Sequence, residues 1–184
     1  MVTIVNLQDA LTKADAAFLA GQYEGSNTGE PGALEWYLAI VRYDANHVQA
    51  LAGLDKPLGV LISVARQAAR EGELNEASRV LKILTSSLVA HPEIAGVAAE
   101  LERSKQAAHW FQKALAFEKE KKILAIANNE NSSSENNAVA AYRKALEIYP
   151  DYQPASRAID RLRSLREQAA MRLVKQNKFE AAVI

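Results

Sequence analysis

Displaced by 105 residues, this sequence falls on itself. Ala33 then lies on Ala138, Tyr37 on Tyr142, Ala65 on Ala170, Gly72 on Asn177, Leu74 on Phe179 and Ala77 on Ala182. Internal repetition constrains a fold strongly, because a short recurring unit cannot bury its apolar face alone and must stack on its neighbours. The spacing inside the repeat identifies the unit. A small residue, a large one four positions on and a small or aliphatic one three further recur at Ala33/Tyr37/Ile40, Ala77/Leu81/Leu84 and Ala138/Tyr142/Ala145. Such intervals put all three side chains on one helical face, where the small residue admits a neighbouring helix and the large one fills the gap.

Helical periodicity continues along most of the chain. Leu7, Ala10, Leu11, Ala14, Ala17 and Phe18 predict a first helix that stops near Gly21, followed by a breaker-rich loop from Glu24 to Gly32. A second helix is expected over 33–43. A long segment follows from His47 to Glu71, in which we expect a break or kink near Asp55, with Asp55 as cap and Pro57 in a first turn. Gly72 ends it, a helix over 75–89 precedes His91 and Pro92, and helices with a bend between them are expected from Ile94 to Ala127. The polar, low-complexity run Asn128–Asn137 offers nothing to bury and reads as a loop. Helical spacing resumes over 138–149, breaks at Pro150 and continues over 153–176. Ala, Leu, Glu, Lys, Arg and Gln are abundant and alternating β-branched runs are missing, so the expected class is all-α.

Two stretches carry a family resemblance. Ala138-Val-Ala-Ala-Tyr142-Arg-Lys-Ala145-Leu-Glu-Ile-Tyr-Pro150 resembles the second helix of a tetratricopeptide repeat, final proline included. Arg70-Glu-Gly72-Glu-Leu74-Asn-Glu-Ala77 resembles the turn between that repeat's helices; Gln176-Asn177-Lys-Phe179-Glu-Ala-Ala182 is similar, with Asn for Gly, and Gly21-Gln-Tyr23 matches before its loop. The chain thus looks like a tetratricopeptide protein of the bacterial type with expanded interhelical loops. The resemblance implies an all-α, right-handed superhelical array of antiparallel helix hairpins, a solenoid with some long helices. It implies one domain over 1–184, composed of a two-repeat unit at 1–92 and a second, truncated one at 93–184. The two polar loops and the extended helices depart from the family's period.

In that family a peptide or partner protein lies in a concave groove lined by the first helix of each repeat. Carried onto matching positions, the groove would include Asp15 and Phe18, then Ile62, Arg66 and Ala69, then Glu167, Met171 and Val174. Arg66 and Arg70 are four residues apart and project from one side of a helix, and Lys175 matches Arg70 after the 105-residue shift. This basic strip suits a partner's carboxylate, and it equally suits ordinary solubilising charge. The Asn and Lys pattern of the family's clamp for C-terminal carboxylates is incomplete. The loops at Glu24–Gly32 and Asn128–Asn137 fall at equivalent places and are candidate accessory contacts.

Other functions find little support. Lys plus Arg equals Asp plus Glu at 22 each, so no global field draws the chain to nucleic acid or an anionic membrane. No Cys is present, and His47, His91 and His109 are too far apart in sequence for two imidazoles to share a helical face. No phosphate-binding glycine loop and no nucleophile motif occurs, so neither an enzyme nor a cofactor is expected. Glu118-Lys-Glu-Lys-Lys122 reads as a solvated face, and Trp36 and Trp110 read as packing residues before they read as a ligand patch. Neither a signal segment nor an 18-residue apolar run stands out, so we expect a soluble segment without membrane insertion, in cytoplasm or periplasm. The leading expectation is a protein-interaction scaffold. The alternatives are self-association through a C-terminal end carrying Phe179, Val183 and Ile184, or a docking domain of a larger enzyme or membrane-anchored complex.

Overall fold

Asn6 starts the first helix: its extended backbone lets the side-chain oxygen accept the N–H groups of Gln8 at 2.8 Å and Asp9 at 3.3 Å. Helix α1 (Leu7–Leu19) ends in a glycine turn that closes two bonds, from Gly21 N–H to the Phe18 carbonyl and from Gln22 N–H to the Ala17 carbonyl. Gly21 stands at φ 74°, a left-handed conformation that costs a Cβ-bearing residue energy. The computed structural model describes residues 2–26, 28–87, 91–120 and 137–181. Among these there are seven helices and no strand, so the chain is all-α. After α1 come α2 (Ala33–Tyr43), α3 (Val48–Glu71), α4 (Leu74–Ser86), α5 (Pro92–Lys119), α6 (Ala138–Ile148) and α7 (Gln153–Ala181).

Backbone proximity divides the chain into unit 1, Met1–Ala68 with Asn75–Ala99, and unit 2, Ala69–Leu74 with Glu100–Ile184. In unit 1, α1 packs on α2, and the core joins Leu11, Leu34, Tyr37, Leu58, Val80 and Val97. In unit 2, α6 packs on α7, and Ala107, Ala114, Tyr142, Tyr149, Tyr152 and Ala155 form the core. Two residue pairs that the 105-residue shift superposes are buried alike. Ala33 and Tyr37 are fully buried in α2, and Ala138 and Tyr142 are fully buried in α6.

Three local expectations need correction. Of the break or kink expected near Asp55, the break is absent: helix α3 runs continuously through Pro57, and Asp55 lies inside it instead of capping a new helix. The proline leaves the Gly53 carbonyl without its helical donor, but Leu54, Pro57, Leu58 and Leu61 are all buried, and that packing outweighs a penalty of about 3 kcal/mol. Helix α7 likewise continues through Asn177, where a turn was expected. The matching Gly72 adopts φ 76° and ends α3, whereas Asn is an ordinary helix residue that permits a turn without enforcing one. Ile62, placed on an open groove by the sequence, is 2% exposed and belongs to the unit 1 core.

Among the described residues α3 is the one helix long and apolar enough to cross a membrane. Asp55 and Lys56 lie within it, and its buried positions from Ala50 to Ala65 are core of unit 1. The polar run 128–136 and Ala182, Val183 and Ile184 lie outside the described residues.

Candidate protein-interaction surface

Most of the sequence-derived groove residues are engaged within the fold. Asp15 accepts a hydrogen bond from the hydroxyl of Tyr37. Phe18 is half-buried, 5.4 Å from the Tyr23 ring and 6.0 Å from the Lys56 ammonium. The guanidinium of Arg66 meets Glu93 at 2.6 Å within unit 1, and Arg70 meets Asp151 at 3.6 Å within unit 2. Each arginine of the basic strip therefore faces a carboxylate of its own chain. Glu167, Met171 and Lys175 remain exposed on α7, and Val174 beside them does too.

The two units share one device. Tyr37 on α2 donates to Asp15 on α1; Tyr142 on α6 donates to Glu118 on α5. Burial, reinforced by the adjoining carboxylate, pushes both phenols above their ordinary range and keeps them protonated. The second pair has an added partner, because Arg161 on α7 reaches Glu118 at 2.6 Å. These contacts fix helix against helix. Among the described residues no group of three or more His, Asp or Glu is placed to hold a metal.

Sequence reasoning missed a cavity of about 650 Å³ in unit 1, beside α2 and the end of α4. Leu34, Leu38 and Ile83 give it apolar lining, and Trp36, Arg42, Glu30 and Glu35 line it too. The segment Val2–Ile4 and the turn around Gly29 complete the wall. That turn belongs to the Glu24–Gly32 loop, which folds on itself through Ser26 N–H to the Glu30 carbonyl at 2.8 Å and Glu30 N–H to Ser26 Oγ at 3.1 Å. Gly32 then caps α2 and lies against the backbone of Glu24, where a Cβ would come within 2.4 Å. Its N–H donates to Glu35 Oε2 at 3.0 Å. On the far side of the loop Arg79 bridges Glu24 and Glu76, each at 2.8 Å, and this bond holds the Glu76 carboxyl below its usual range. Two sequence signals touched this region: the loop, read as an accessory contact, and Trp36, read as a packing residue before a ligand patch.

The second open surface is the outer part of α7. Residues 163–172 are all exposed, as are Val174 and Lys175. The 105-residue shift pairs Arg163, Arg166 and Glu167 with Leu58, Leu61 and Ile62 of α3, all three core residues of unit 1. Charge thus occupies the places that the first copy fills with core. Yet Leu165, Met171 and Val174 are 55%, 65% and 55% exposed. Met171, Val174 and Lys175 stand three and four positions apart and form one patch. Compared with protein-family models, curated proteins and solved structures, the chain matches none.

Proposed function

We propose that this chain is a protein-interaction scaffold of tetratricopeptide-like helix hairpins that binds a peptide or a segment of a partner protein. The observation that carries the reading is the unit 1 cavity, whose lining joins apolar Leu34, Leu38 and Ile83 to polar Glu30, Glu35, Arg42 and Ser86 and so offers a partner side chain both burial and orientation. The solenoid reading is supported by the two buried tyrosines, each held to a carboxylate of the preceding helix at equivalent places in the repeat. The binding surface differs from the one inferred by family resemblance: it lies along α2 and its preceding loop. A scaffold of this kind acts by position and affinity, without a chemical step.

The test uses peptides selected from a random displayed library against the whole chain. The two tryptophans serve as built-in reporters, Trp36 beside the cavity and Trp110 in unit 2. Binding in the cavity shifts the Trp36 indole N–H resonance and leaves that of Trp110 in place. Ala39→Lys, which fills and charges the half-buried wall, should weaken binding at least roughly tenfold. Recovery of no binder, or binders indifferent to Ala39→Lys, would overturn the reading.

A further inference from the structure

Resting on the scaffold reading, we infer that one occupant of the unit 1 cavity is the exposed outer part of α7 from a second copy of this chain. Two surfaces described separately complement one another. The α7 patch offers Met171 and Val174, large apolar side chains left in water, with Arg172 and Lys175 alongside. The cavity is lined by apolar Leu34, Leu38 and Ile83 and by two carboxylates, Glu30 and Glu35, together with Arg42. Glu30 is exposed, and its backbone N–H is held by Ser26 Oγ in a hydrogen-bonded turn.

Charge agrees on the larger scale as well. Unit 1 carries nine carboxylates and six cationic side chains, so it is acidic. The α7 segment 163–175 carries Arg163, Arg166, Arg172 and Lys175 against Glu167 alone. Opposite fields on two parts of one chain favour encounters in which the basic helix of one molecule meets the acidic unit of another. Met171 and Val174 then leave water for the cavity's apolar lining, which gives the contact its lifetime, and Lys175 and Arg172 face Glu30. The two surfaces differ, so the contact is heterologous: each bound molecule still offers a free cavity or a free helix, unless a reciprocal exchange closes a pair.

The experiment is a complementation measured by sedimentation velocity on the full chain. The parent should grow in mass with concentration, and raising salt from 50 mM to 500 mM should weaken it, because exposed charges are screened over about 10 Å at 0.1 M. Glu30→Lys with Ala39→Lys disables the cavity; Met171→Glu with Lys175→Glu disables the helix. Circular dichroism checks that both keep the parental helix content. Each variant alone should weaken association at least about tenfold. An equimolar mixture retains one working cavity and one working helix, and should form a complex that stops at two chains. A parent that stays monomeric throughout, variants that associate as the parent does, or a mixture no heavier than its components would each overturn the inference. If selected peptides still shift the Trp36 indole while the parent stays monomeric, self-docking fails alone and the scaffold reading stands. If neither occurs, both fail.

Discussion

Replacing Gly53 by alanine should destabilise the protein, although the same change in an exposed helix normally helps. Alanine exceeds glycine by about 1 kcal/mol in helix propensity, so a helix-interior Gly→Ala starts with that advantage. At position 53 the added Cβ would stand 2.3 Å from Cε1 of Tyr37 and 2.7 Å from its Cζ. Ordinary carbon contacts lie near 3.5–4.0 Å, so the ring must retreat by roughly 1 Å. It has little room. Tyr37 is fully buried, and its hydroxyl is tied to Asp15. Overpacking of this kind costs about 1–3 kcal/mol or more, and the strained tyrosine bond adds to it. We expect a net loss of about 1–3 kcal/mol, or roughly 2–10 °C in Tm for a chain of this size. Gly59 in the same helix is the control, since nothing lies within 4 Å of its Cβ position, and Gly59→Ala should gain about 1 kcal/mol. Thermal and urea unfolding of the two variants give the answer. A Gly53→Ala protein as stable as Gly59→Ala would refute the close packing of α3 on Tyr37.

Ile62→Ala should cost about 2–5 kcal/mol by urea denaturation, as truncation of a buried side chain does, while Met171→Ala stays within about 0.5 kcal/mol; equal costs would contradict their different burial. Tyr37→Phe should cost about 1 kcal/mol, and in a double-mutant cycle with Asp15→Ala, which removes the acceptor, the two losses should fall short of additive by a similar amount. Additive losses would mean that the pair is not coupled. Alkaline pH tests four tyrosines together, because burial raises the phenols of Tyr37, Tyr142, Tyr149 and Tyr152 above the ordinary value of 10.0. Raised in the folded state, they contribute full stability below pH 10, and that contribution declines as the unfolded chain ionises first above it. Phenolate absorbance near 295 nm should therefore rise for these four only as helicity is lost; ionisation before unfolding would contradict the burial of their hydroxyls.

Much of the fold was legible because it rests on local rules. The Ala33/Tyr37 and Ala138/Tyr142 spacing placed four fully buried residues correctly, and Gly21 and Gly72 marked helix ends because their backbone conformations are ones that side chains resist. The misses come from tertiary packing. Pro57 signals a break by its chemistry alone, and only the burial around it shows why α3 continues. Family register put Ile62 in a groove, yet the same helical face meets the core here. Arg66 and Arg70 had the spacing of a recognition strip, but their partners Glu93 and Asp151 are 27 and 81 residues away in sequence, beyond the reach of any local pattern. The cavity beside α2 was least visible. It is shaped by a turn, an extended segment and the end of α4, which no single periodicity connects.

The outer part of α7 also has a consequence for how the chain holds together over time. An isolated helix of about a dozen residues is marginal in water, because nucleation is costly and most helical stability in proteins comes from a packed face. Residues 163–172 have no such face. Their amide hydrogens should exchange with solvent through fraying of this segment alone, many times faster than those of α2 or the start of α7, whose opening requires exposure of Tyr37 or Tyr142. The chain therefore carries its own gauge of occupancy: whatever molecule covers this helix will show itself as a slowing of amide exchange there, before any change in the cores is detectable.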